Sequence, residues 1–132
     1  MNKSIVTSGK RKSAIARASL TDGSGIVTIN GIDLKAIKPE LVRLLIQTPL
    51  LLADEAAKKV DIAVHVSGGG FNSQAEASAL AIAKALAKHD KHLDKVFLAY
   101  DRQLLVADVR RKECSKPNKH GQARAKRQKS YR

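Results

Sequence analysis

Ten lysines and arginines crowd the last 23 residues of this chain, namely Arg110, Arg111, Lys112, Lys116, Lys119, Arg124, Lys126, Arg127, Lys129 and Arg132, against one acid, Glu113. Spaced by Gly121, Ala123, Ala125, Gln128 and Ser130, they can approach phosphates closely, each neutralised phosphate releasing condensed counterions. The only sizeable apolar group in the stretch is Tyr131. It therefore has no core to offset the entropy of ordering and is expected to order only on a polyanion. Charge alone also fits a solvated tail or a nuclear-type address.

A second candidate for phosphate chemistry is Gly68-Gly69-Gly70, between the best strand and the best helix of the sequence, where backbone N–H groups at a helix start can cradle an anion. The Gly-Lys-Ser/Thr end of a nucleotide P-loop and the spacing of a dinucleotide fingerprint are both missing. A sharp turn with close backbone approach, to the sheet or to an RNA backbone, is the expected role. His65, His89, His92, His120 and the lone Cys114 have no metal-ligand spacing, so neither a metal nor any other cofactor is expected. Cys114 sits among cations, but without an identified base it is expected to be no more than a candidate for oxidation. No nucleophile, base and acid can be ordered from the sequence, and the acids are scattered singly. An enzyme is not expected. The aromatic residues are Phe71, Phe97, Tyr100 and Tyr131, too few for a reader of single strands that stacks successive bases. Recognition through shape and phosphate fits better.

The charge is partitioned along the chain. Residues 1–17 carry +5, residues 18–109 carry −1 and residues 110–132 carry +9 of the total +13. A near-neutral body is thus flanked by two cationic ends, and its roughly 90 residues suffice for one modest core. The expected division is one α+β domain over residues 1–109, including a basic N-terminal segment, and an extended basic tail over residues 110–132. A single cysteine rules out an internal disulfide framework and makes the cytosol the default compartment. No apolar run approaches a membrane span and no signal-peptide block opens the chain, which is expected to be soluble and unprocessed.

These groups need a scaffold to position them. Val60, Ile62, Val64 and Val66 alternate with Asp61, Ala63, His65 and Ser67, the period of a strand with one buried face. Residues 14–20 and 26–32 are β-prone runs joined by Thr21-Asp22-Gly23-Ser24-Gly25, which reads as an antiparallel hairpin. Ile5-Val6-Thr7 suits an edge strand. Pro39-Glu40 starts a helix that Pro49 should stop or interrupt. A better helix runs from Ser73, where Ser73-Gln74-Ala75-Glu76 has capping-box spacing, to about His89. Its projection puts Ala75, Ala79, Ile82, Ala83 and Leu86 on a buried face and Gln74, Ser78, Lys84 and Lys88 on a polar one. Leu93, Val96, Phe97 and Tyr100 have the spacing of a third helix face, and residues 104–109 could extend that helix or form a strand. This order describes an α+β fold with a mostly antiparallel sheet and helices packed on one face.

The glycine triplet followed by Ser73-Gln74, Ala77, Ala81, Ala83-Lys84 and Ala85-Leu86 resembles the signature of the universal small-subunit ribosomal protein nine family. Ser8-Gly9-Lys10-Arg11-Lys12-Ser13-Ala14-Ile15-Ala16-Arg17-Ala18 and Ala125-Lys126-Arg127-Gln128-Lys129-Ser130-Tyr131-Arg132 resemble the archaeal or eukaryotic form of the same family. The resemblance implies a fold like domain two of ribosomal protein five, seated on ribosomal RNA of the small-subunit head beside neighbouring ribosomal proteins. It also implies a tail reaching the peptidyl-site tRNA, and hence a cytoplasmic, ribosomal location with no membrane and no small-molecule substrate. Tyr131 stands where the bacterial form has a lysine, so Arg132 and Lys129 are the expected tRNA contacts. The expected ribosomal-RNA contacts are Lys10, Arg11, Lys12, Arg17, Gly68, Gly69, Gly70, Lys84, Lys88, Arg110, Arg111, Lys112, Lys116, Lys119, Arg124, Lys126 and Arg127. The alternative from charge alone is an architectural DNA-binding protein. A phosphoryl-transfer enzyme or nuclease built on the glycine turn would instead show turnover dependent on a divalent metal.

Overall fold

The computed structural model describes residues 3–117 and 121–124. Alternating burial along the chain builds a five-stranded sheet from β1 (Ile5–Arg11), β2 (Ala14–Asp22), β3 (Val27–Ile29), β4 (Ile32–Asp33) and β5 (Val60–Ser67), in the order β1-β2-β5-β3-β4. Three helices accompany it: α1 (Glu40–Ala53), α2 (Phe71–His89) and α3 (His92–Tyr100). The α+β class is as expected, with a mixed sheet: β1–β2, β2–β5 and β3–β4 are antiparallel, and β3–β5 is parallel. The buried sheet face packs on α2, and α1 and α3 pack on α2 in turn.

The expected hairpin between residues 14–20 and 26–32 does not form, because β5 inserts between β2 and β3. Asp61 secures the arrangement: its carboxylate accepts the backbone N–H of Ser24 at 2.8 Å and of Ile26 at 2.9 Å, tying the glycine-containing loop to β5. Those two bonds, Ile26 first, hold the Asp61 carboxyl below its usual range. The hairpin that does form joins β1 to β2 across Lys12-Ser13, with Lys12 at positive φ. Lys10, Arg11 and Arg17 are therefore built into the sheet, with Lys12 in the turn between the two strands.

Pro49 lies inside α1 without ending it. Its ring is wholly buried, and that packing offsets the one helical hydrogen bond proline removes. The expected capping box at Ser73 is replaced by an earlier start: α2 begins at Phe71 with Gly70 as its cap and no side-chain capping bond. Glu76, the would-be partner of Ser73, is drawn instead to Arg11. Ser78, expected on a polar face, is fully buried and donates its hydroxyl to the Gln74 carbonyl at 2.7 Å. The reason is that α2 is covered by the sheet on one side and by α1 on the other, so its alanines serve close packing nearly all round. In α3 only Leu93 and Phe97 are buried, while Val96 and Tyr100 face outward. Residues 104–109 neither extend α3 nor form a strand. A 3-10 turn, Arg102–Leu104, ends in buried Leu104, and the chain then runs irregularly toward the tail.

Candidate nucleic-acid interface

The first strand and the central helix lie side by side, and that packing decides where the cations go. The Thr7 hydroxyl donates to the Ala81 carbonyl at 2.7 Å, and Lys84 Nζ donates to the Ser8 carbonyl at 3.2 Å. Next to them Gly9 meets α2 at Ala77 and Ala81 with no room for a side chain. Along this edge runs a groove of about 720 Å³ lined by Arg17 from β2 and by Lys84 and Lys88 from α2, with Asp94 its one acid. Residues 67 and 71 positions away from Arg17 in sequence are thus gathered with it on one surface. The opposite, helix-free face of the sheet sets Ser8, Arg17 and His65 in register across three strands.

A second cationic locus is the tip of the β1–β2 hairpin. Lys10 and Lys12 are exposed there, and the glycine turn abuts it: a β-carbon at Gly69 would lie 3.1 Å from the Ala14 amide nitrogen, and one at Gly68 would press on the Ser13 carbonyl oxygen. Gly68 and Gly69 both have positive φ, the conformation that favours glycine. Gly70 has an ordinary φ of −93° and open space around its α-carbon, so the fold itself does not demand a glycine at that position.

The third locus is the root of the tail, where the cations are engaged within the chain. Arg11, its side chain only 13% exposed, donates from Nε to Glu76 at 2.6 Å and faces Asp108 from Nη2 at 3.6 Å. Asp108, 6% exposed, also accepts Arg110 Nη2 at 2.7 Å. Hydrogen bonds from the Arg110 side chain and backbone, with the charge of Arg11 added, hold the Asp108 carboxyl far below the usual carboxylate range. Arg111 donates to the carbonyls of Asp108 and Arg110, Lys116 pairs with Glu113, and Lys112 and Arg124 are exposed. Lys119, Lys126, Arg127, Lys129 and Arg132 lie outside the described residues.

The sequence reading missed Asp108 and Glu76 as partners. An acid two residues before the Arg110-Arg111 pair was the only local signal for Asp108, and nothing local linked Glu76 to Arg11. Because the folded carboxyl of Asp108 is depressed, its contribution is present above the unfolded carboxylate range and is lost only as pH falls through the lower folded value. Asp108→Asn should therefore speed amide exchange of residues 105–111 at neutral pH, while wild type keeps that protection down to pH 5; equal exchange rates in the two proteins would show that the ion pairs do not hold the tail root. Among the described residues no group of His, Cys, Asp or Glu could hold a metal ion, Cys114 is exposed, and no helix is long and apolar enough to cross a membrane.

Residues 9–132 match the family described as ribosomal protein S9/S16. The chain belongs to that family. Among relatives of the S9/S16 type, the small ribosomal subunit protein uS9 of Thermoplasma acidophilum is 50% identical over 130 residues, covering 97% of this chain and 100% of the relative. Its counterpart in Thermoplasma volcanium is 48% identical over 130 residues, 97% of this chain and 98% of the relative. That of Methanococcus maripaludis is 44% identical over 133 residues, 98% and 99% respectively. The S9/S16 match takes in Arg17, Lys84, Lys88, the glycine turn and the whole cationic tail.

Proposed function

We propose that this chain is a structural, non-catalytic component of the small ribosomal subunit, bound through its cations to ribosomal RNA beside other ribosomal proteins of the subunit head. The observation that carries the reading is the groove in which Arg17, Lys84 and Lys88 converge from β2 and α2. The family and the names of the relatives supply the particle. Phosphates enter the groove and approach the hairpin tip, where Lys10, Lys12 and the glycine turn leave the backbone accessible. The basic tail continues along the RNA, and its end reaches the peptidyl-site tRNA: 14 extended residues from Lys119 to Arg132 span roughly 45 Å. The Arg132 fork suits a phosphate through two hydrogen bonds and stays charged at any physiological pH. This reading places the protein in the cytoplasm, on the ribosome.

Co-sedimentation with small subunits in high salt tests the particle assignment, which an architectural DNA-binding protein would fail. Replacing Arg17, Lys84 and Lys88 together by glutamine should flatten the log–log salt dependence of ribosomal-RNA affinity by about 2. An unchanged slope would remove the groove from the interface.

A further inference from the structure

Beneath the hairpin a separate hollow of about 310 Å³ opens between β1, α1, α2, the end of α3 and the tail root. We propose that it takes one unpaired nucleobase of the ribosomal RNA, a proposal that rests on the RNA-binding reading above and assigns that RNA a second kind of contact. Its volume lies at the low end of small-molecule sites and suffices for a single nucleobase.

The lining is suited to a flat, neutral, polar group. Buried Leu80 and Leu104 supply apolar surface, and Tyr100 at the end of α3 is 63% exposed, a ring that the core leaves free for stacking. Among the described residues, Arg11 Nη1 is a buried nitrogen with no hydrogen-bond partner. Arg11 lines this hollow, while its Nε and Nη2 are directed at Glu76 and Asp108. A buried donor without an acceptor is costly, and a small shift of the Arg11 guanidinium toward the hollow would let a carbonyl or ring nitrogen of a base satisfy it. Gln103 offers both an amide donor and a carbonyl acceptor. Thr48, whose hydroxyl donates to the Leu44 carbonyl at 3.1 Å and keeps acceptor capacity, also lines the hollow.

Charge argues for a base over a phosphate. The cations Lys10, Arg11 and Arg110 are matched by Glu76, Asp101 and Asp108, so the interior has no cationic excess to hold an anion. The phosphates of the same strand would lie outside, on exposed Lys10 and Lys12 of the hairpin.

The experiment is to assemble small subunits with wild type, Tyr100→Ala, Tyr100→Phe or Gln103→Ala and to probe the ribosomal RNA nucleotide by nucleotide with a reagent that modifies unstacked bases. The expected result is one unpaired nucleotide protected by wild type and by Tyr100→Phe. Its reactivity rises about tenfold with Tyr100→Ala, the loss of one base–aromatic stack, while all other protections persist. Exposure of the same nucleotide by Gln103→Ala would add support. Identical patterns for wild type and Tyr100→Ala would overturn the proposal, as would occupation of the hollow by a side chain of a neighbouring protein, which leaves the RNA pattern unchanged. The two readings fail differently: wild type giving no ribosomal-RNA protection anywhere would overturn both, whereas protection at the groove with none sensitive to Tyr100 would overturn only this one.

Discussion

A single methyl group added at position 9 should destabilise the body by about 3 kcal/mol or more, a large fraction of the net stability of a domain this size. Gly9 sits on the face of β1 that meets α2, between Thr7, bonded to the Ala81 carbonyl, and Arg11, bonded to Glu76. A β-carbon there would overlap the Ala77 carbonyl oxygen and lie 2.8 Å from the Ala81 amide nitrogen. Both are backbone atoms of a helix packed on two sides, so neither can move without separating strand from helix. For a body of this size the loss corresponds to a fall in melting temperature of roughly 12 to 24 °C. Gly70→Ala is the internal control, since its α-carbon faces open space at an ordinary φ, and it should melt within a few degrees of wild type. Equal melting of Gly9→Ala and wild type would show that β1 does not lie on α2 as described. The groove would be lost with that packing, because the Lys84 bond to the Ser8 carbonyl depends on the same approach.

Removing residues 110–132 should cost more affinity than any change in the body. Of the ten cations in that segment, Arg110 and Lys116 are already paired with acids, leaving at most eight for phosphates and a salt slope near −6 from the tail. Between about 50 and about 200 mM salt such a slope is worth roughly a thousandfold in affinity, which full-length and truncated chains would reveal when titrated onto small-subunit ribosomal RNA. A slope flattened by more than half is expected. Unaltered salt dependence would move the binding surface onto the body, where Arg17, Lys84 and Lys88 already converge. Deleting Arg132 alone tests the tip: assembly should persist while peptidyl-site tRNA dissociates several-fold faster at low magnesium, one charge-assisted contact being worth about 1 to 2 kcal/mol. Unchanged release would exclude the tRNA contact, and failed incorporation would reassign Arg132 to ribosomal RNA.

Taken alone, the sequence determined the features that depend on neighbours along the chain. The alternation of β5, the alanine-rich stretch of α2, the α+β class, the separation of a near-neutral body from cationic ends and the family itself were all legible, because each is written in local period, composition or motif. The tertiary structure decided what depends on residues distant in sequence. The insertion of β5 between β2 and β3 is made by ladders to both strands, with Asp61 tying Ser24 and Ile26 to β5, and Ser78 is buried on a helix packed by both the sheet and α1, where a helical projection leaves it polar. The same holds for cations of like sequence character. Arg11 and Lys10 are adjacent in one motif, yet the pleat of β1 sends Arg11 inward to Glu76 and Asp108 and leaves Lys10 exposed. Charge is a property of the residue and could be counted from the sequence. Whether that charge is already neutralised is a property of packing across 65 residues between Arg11 and Glu76, and no local pattern encodes it.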